Sequence, residues 1–238
     1  MGVGIGLATG RPGASTGGGG VPSFLTDLIE YWPLADLVGE HAGRVLTNNG
    51  SVTFGAGHID QCAAFSGSNY LDMAAPASLQ TGDIDYTLAA WVKLNSVVAN
   101  SAIISQGQCS SELWYDGGWD TFSFTQWRVD GGDSISAGSG SYRLEPASTG
   151  TWYHVVGWYT ASDGKAHLRV NAGTERISSA AGFTPAVSSS NFAIGRRPDG
   201  AHNMDGYISD AAFWKRALTS AEIVDLYAAG TGLAYPFA

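Results

Sequence analysis

The segment Glu112-Leu113-Trp114-Tyr115-Asp116-Gly117-Gly118-Trp119-Asp120 gathers aromatic rings and carboxylates around a tight turn. Aromatic faces stack on the apolar faces of sugar rings, while carboxylates and amides take the hydroxyls. Tyr115, Trp119 and Asp120, with Trp127 and Arg128 on the next strand, therefore form a candidate carbohydrate-binding groove. The competing assignment is the core, where bulky rings bury the most apolar area. Trp91, Trp152 and Trp158 are assigned there.

Catalytic patterns are missing from the rest of the chain. Glycoside hydrolysis needs two carboxylates flanking the scissile bond. The densest acidic stretch, Gly82-Asp83-Ile84-Asp85-Tyr86, sits at a strand entrance where turn-forming Asp is expected, and no glutamate follows at the needed spacing. His41, His58, His154, His167 and His202 are scattered, with no helical pair and no zinc-ligand spacing. His154 alternates with Trp152 and Val156 and reads as a packed strand residue. No serine lies in a nucleophile elbow, and no glycine-rich phosphate loop carries its lysine. The expectation is a protein that is not an enzyme.

Composition narrows the partners. With 238 residues, 44% hydrophobic and 14% charged, the chain can bury a large core. Its net charge of -9 opposes binding to a phosphate backbone, which needs clustered Lys and Arg, so nucleic acid is excluded as a partner. Surplus carboxylates suit solubility or a hard cation. The two cysteines, Cys62 and Cys109, do not make a disulfide framework. Buried thiols are the first reading for them and a single bridge the alternative. No apolar run is long enough to span a membrane, and the start lacks the basic residues and apolar length of a secretory signal. If Met1 is the native start, the protein is made in the cytoplasm and stays there or leaves inside a particle.

The chain divides into residues 1–22, an arm and glycine-rich linker, and residues 23–238, a single domain. In the arm, Val3, Ile5 and Leu7 alternate with Gly2, Gly4 and Gly6, so an extended conformation puts the branched side chains on one face. Such a strip could add to the edge of another subunit's sheet; a frayed terminus is the alternative. From Leu28 onward, period-2 runs separated by turn residues predict strand after strand, among them Leu28 to Trp32, Tyr86 to Leu94, Thr121 to Trp127 and Trp152 to Thr160. One helix is signalled near the end. Thr219 and Glu222 form a capping box, Leu218 and Ile223 a hydrophobic staple, and Gly230 a stop. Ile223, Leu226 and Tyr227 share the face that packs on the strands.

Several landmarks in order resemble a known family. They are Tyr31-Trp32-Pro33-Leu34-Ala35-Asp36, Cys62-Ala63-Ala64-Phe65-Ser66-Gly67 with Tyr70-Leu71, and Tyr86-Thr87-Leu88-Ala89-Ala90-Trp91-Val92-Lys93. Thr151-Trp152-Tyr153-His154-Val155-Val156, Phe192-Ala193-Ile194-Gly195 and Met204 to Asp210, running into Trp214 to Ile223, complete the set. From Leu28 to Leu233 the chain resembles the laminin-G-like, concanavalin-A-like jelly-roll domain of lectin-like modules and phage virion proteins. The resemblance implies an all-β fold of two stacked antiparallel sheets. It also implies a calcium ion where the first strand meets a late one, at Asp210 with Asp36 nearby; a hydrogen-bonded structural carboxylate is the other reading of Asp210. The glucanase relatives place acids at alternate positions of one strand, a motif this chain lacks.

Fold does not determine function. The expectation is a non-catalytic virion structural, decoration or tail-associated protein. Its arm anchors it to other assembly proteins through Val3, Ile5 and Leu7, and its lectin-like domain faces outward to bind host-surface carbohydrate. The alternative is a secreted carbohydrate-binding module or glycan-active enzyme, placed extracellularly. A second copy of the chain is a further candidate partner.

Overall fold

The computed structural model describes residues 23–107, 110–128, 134–138, 146–179 and 184–237. Val3, Ile5, Leu7 and Cys109 lie outside the described residues, so the expected arm does too. Alternating apolar and polar residues, rich in β-branched and aromatic types, build the strands. The first eight are β1 (Leu28–Trp32), β2 (Thr47–Asn49), β3 (Thr53–Ala56), β4 (Gln61–Ser66), β5 (Tyr70–Met73), β6 (Tyr86–Leu94), β7 (Ser101–Gln106) and β8 (Ser111–Asp116). Then follow β9 (Thr121–Trp127), β10 (Ser134–Ala137), β11 (Trp152–Thr160), β12 (Lys165–Val170), β13 (Arg176–Ile177), β14 (Phe192–Ile194), β15 (Asp205–Trp214) and the helix α1 (Ser220–Tyr227).

Two antiparallel sheets form the expected all-β sandwich. The eight-stranded sheet runs β13-β12-β11-β6-β15-β4-β3, with β1 also paired to β15. The seven-stranded sheet runs β10-β9-β8-β7-β14-β5-β2. Inward residues such as Phe124, Leu113, Ile104, Ile194 and Leu71 from one sheet meet Tyr86, Val155, Tyr159 and Phe213 from the other. The layers pack tightly at Gly157, where a Cβ would lie 2.6 Å from the Phe124 ring, so only glycine fits there. Cys62 is a buried free thiol.

A second apolar cluster closes the outer face of the eight-stranded sheet. Trp158, Ala212 and Trp214 from the strands bury Phe24, Ile223, Leu226 and Phe237 from the flanking segments. The helix is capped as its sequence predicts, with Thr219 Oγ1 accepting from the Glu222 N–H at 3.2 Å and Glu222 accepting from the Thr219 N–H at 2.8 Å. Its end differs from the expected stop at Gly230. The left-handed residue is Ala228 (φ 47°), whose N–H bonds to Val224, and Gly232 and Leu233 then donate to the last carbonyls at Tyr227 and Leu226. Arg216 grips Glu222 at 2.7 Å and holds its carboxyl down to about 2, while also donating to the Ser23 and Thr26 carbonyls. No helix among the described residues is long and apolar enough to cross a membrane.

Trp91 and Trp158 are buried, as expected. Trp152 is a correction: it is half-buried, with the Lys93 ammonium 5.0 Å from its ring. Trp152 begins β11 opposite Lys93 of β6, so its ring lies beside the ammonium instead of filling the core.

Candidate functional site

The structure does not gather the expected groove into one place. Tyr115 pairs with Phe122 across the β8–β9 hairpin and points inward. It is fully buried, and its ring packs edge-on against Phe122 at 5.4 Å, so no ligand can stack on it. Its hydroxyl donates to Asp120. Trp119 is 51% exposed, at the turn that joins the two strands. Trp127 and Arg128 stand at the far end of β9, about 20 Å away at the usual rise per residue. The segment around Glu112 is thus a strand over most of its length, and only Gly117 to Asp120 make the turn.

Side chains converge elsewhere on the same sheet. Alternation with the core residues turns Ser136, Thr125, Glu112, Ser105, Ala193, Asp72 and Thr47 outward, and the strand register lines them up in a row across the seven strands. The segment between β14 and β15 folds over the middle of this row. Glu112, fully buried, accepts from His202 Nδ1 at 2.7 Å and lies 3.8 Å from Arg197. His202 stacks on Trp114 at 4.9 Å, and Ser105 donates to the Arg196 carbonyl at 2.8 Å. A buried carboxylate with an uncompensated charge is costly, so Glu112 holds this segment against the sheet.

Beside that segment lies a pocket of about 320 Å³, floored by Tyr70, Asp72 and Ala193 and walled by Asn191, Arg196 and Asp199. The Arg196 guanidinium sits 3.5 Å from the Tyr70 ring centroid. Asp72 accepts from Asn49 at 2.8 Å and from Asn191 at 2.7 Å, one amide on each oxygen. Burial works to raise Asp199, but hydrogen bonds from Arg197 and the Ala201 N–H outweigh it and hold its carboxyl below the usual range. The pocket therefore offers a cationic plane on an aromatic face, a fixed carboxylate and an amide, the group types that orient a polyhydroxylated ring. In the sequence, Tyr70 stood out only as a fold landmark. The alternation of Tyr70 and Asp72 about Leu71 was the signal that both point outward.

Asp210 lies at a bulge in β15, where pairing passes from β4 to β1, and takes a left-handed conformation (φ 54°). Tyr31 donates its hydroxyl to one carboxylate oxygen, and the other oxygen is buried without a partner. Burial raises the Asp210 carboxyl to about 6, and the charges of Asp60 and Glu40 push the same way. Those two share a small pocket with Asp210, whereas Asp36 lies outside its lining, exposed, with its carboxylate accepting from the Val38 N–H at 2.7 Å. The unpaired oxygen of Asp210 fits one ligand of a hard cation. Asp36 does not complete a pair with it in this pocket, and among the described residues no three His, Cys, Asp or Glu side chains are arranged to hold a metal ion.

The fold has solved counterparts. The binding domain of Paraclostridial Mosquitocidal Protein 1 matches with a TM-score of 0.68 at 12% identity, over 84% of this chain and 52% of that one. The receptor binding domain of botulinum neurotoxin mosaic serotype C/D matches at 0.65 and 12%, over 87% and 52%. Domain 4 of AbnA, an extracellular arabinanase of Geobacillus stearothermophilus solved with arabinotriose, matches at 0.61 and 17%, over 84% and 97%. The chain thus spans about half the length of the toxin domains and nearly all of the arabinanase domain. Identities this low establish the fold alone. No curated protein sequence matches the chain. A family model does, over residues 65–224, and with the sandwich described above it shows that the chain belongs to the concanavalin A-like lectin/glucanases superfamily.

Proposed function

We propose that this chain is a non-catalytic binding module that takes a carbohydrate, free or on a receptor, in the pocket at Tyr70, Asp72, Asn191 and Arg196. The observation that carries the reading is the Arg196–Tyr70 stack standing beside a carboxylate fixed by two amides, on the sheet face opposite the helix. The arabinanase domain solved with arabinotriose and the toxin binding domains, which share the fold, support it. An extracellular or cell-surface location goes with this reading.

A glycan array tests it. Tyr70→Ala is expected to weaken binding of any captured glycan at least tenfold, because a stacked aromatic is the usual anchor of such a site, with the thermal midpoint little changed. Reducing-sugar release from the bound glycan would overturn the non-catalytic part, and a silent array would overturn the carbohydrate part. Running the array with and without chelator also tests calcium at Asp210: binding or stability lost in chelator and restored by calcium alone supports the ion, and indifference rejects it.

Attachment to a virion through Val3, Ile5 and Leu7 is a finer form of the same reading, resting on the sequence of residues 1–22 alone. It predicts that a chain lacking residues 1–20 folds but fails to join its particle. Unchanged incorporation would rule out the anchoring role.

A further inference from the structure

Four arginines of the described sandwich come with their own anions. Arg44 meets Glu30 at 3.4 Å, Arg169 meets Glu175 at 3.6 Å, and Arg197 and Arg216 meet Asp199 and Glu222 at 2.7 Å. Arg196 forms no ion pair among the described residues, although it lines a pocket that contains two carboxylates. Those carboxylates are already engaged, Asp72 by the amides of Asn49 and Asn191 and Asp199 by Arg197. Arg196 is held instead by its Tyr70 stack, and its Nε, like those of Arg169 and Arg176, is buried with no hydrogen-bond partner; what sets it apart is that it also faces an open pocket.

From this arrangement we infer that the sugar bound in the pocket is acidic and carries a carboxylate that pairs with Arg196. The inference rests on the proposed function and specifies the ligand class of the same site. Arg196 is half-buried, and leaving its buried Nε–H without an acceptor is unfavourable; an oxyanion brought by the ligand supplies the missing partner. Stacking on Tyr70 fixes the guanidinium plane, so its N–H groups are presented edge-on, the geometry that a planar carboxylate matches. The ring hydroxyls then fall to Asp72 and Asn191. The net charge of -9 argues against a densely sulfated chain, which the whole surface repels, and for one isolated carboxylate recognised at short range.

The test uses the full chain against paired probes: sialyllactose with lactose, oligogalacturonides with their carboxyl-reduced forms, and heparin. Acidic members are expected to bind, and reducing the carboxyl group is expected to weaken binding about 10- to 100-fold, the range of a charge-assisted bond. R196Q should cause a similar loss on the acidic probe and little further loss on the reduced one, with R196K recovering only part. Because the carboxyl reduction alters the ligand alone, that comparison stands even if R196Q is unstable. Equal binding of acidic and reduced probes, or a preference for heparin, overturns the inference. If neutral glycans bind and lose binding in Tyr70→Ala, the acidic ligand class fails while the proposed function stands. Silence with every probe sinks both.

Discussion

Glu30→Gln is expected to destabilise the fold by about 3–5 kcal/mol, the cost of breaking a buried charged network by changing one member. Glu30 is fully buried in β1. One carboxylate oxygen accepts from the N–H groups of Tyr31, His41 and Ala42 at 3.1, 2.9 and 2.9 Å, and the other accepts from the Arg44 N–H at 2.9 Å. A single side chain thus accepts from three N–H groups of the following loop, those of His41, Ala42 and Arg44. An amide turns one of the two oxygens into a donor, and in either orientation an N–H then faces an N–H. Water cannot step in, because Gly39 packs so closely that a Cβ there would sit 2.4 Å from the Glu30 carboxyl carbon. Urea denaturation measures the loss, which should lower the thermal midpoint by roughly 10 °C. Ligand capture at low temperature should survive, since the pocket at Tyr70 lies on the other sheet. A change under 1 kcal/mol would show that the loop finds other acceptors.

The second large effect depends on pH. His154 lies buried in β11, its ring 5.1 Å from Trp91, with Nδ1 lacking a partner. Burial, aided by the charge of His58, lowers it from 6.5 to about 3. Between those values the unfolded chain binds a proton that the folded chain refuses, so this group's contribution is intact above pH 6.5 and is lost as pH falls. Asp210 acts in the opposite sense. Its carboxyl rises from 3.8 to about 6 on folding, so the native state takes up the proton first and gains stability as pH falls through that window. The two slopes offset each other in the wild type. His154→Phe removes one of them, and its stability relative to wild type should climb by about 2–3 kcal/mol between pH 6.5 and 4.5. Any packing change made by the larger ring is constant with pH and drops out of that slope. Parallel stability curves for the two proteins would refute the buried neutral imidazole.

Much of the sandwich was legible in the residues because its determinants are local. Period-2 alternation marked β1, β6, β9 and β11 with the bounds the strands take, and the Thr219–Glu222 box marked the start of the helix. Short edge strands such as β2 and β13 carry too few residues to show a period, and β8 was obscured by the carboxylates and glycines of its own turn. The helix stopped ahead of Gly230 because Ala228 already turns left-handed, with Gly232 and Leu233 of the same segment donating to its last carbonyls.

The binding surface was a different matter. Tyr115, Trp119 and Trp127 are close in sequence, yet one faces the core and the others stand at opposite ends of a hairpin. Tyr70 and Arg196 are far apart in sequence and stack because β5 pairs with β14. Which side of a strand each residue faces is a property of the chain's own alternation, so the residues alone determined the all-β class, most strands and the helix cap. Which strand lies beside which is decided by closing two apolar faces over the whole chain at once, and only that global choice brought a guanidinium, a tyrosine and a carboxylate around one pocket.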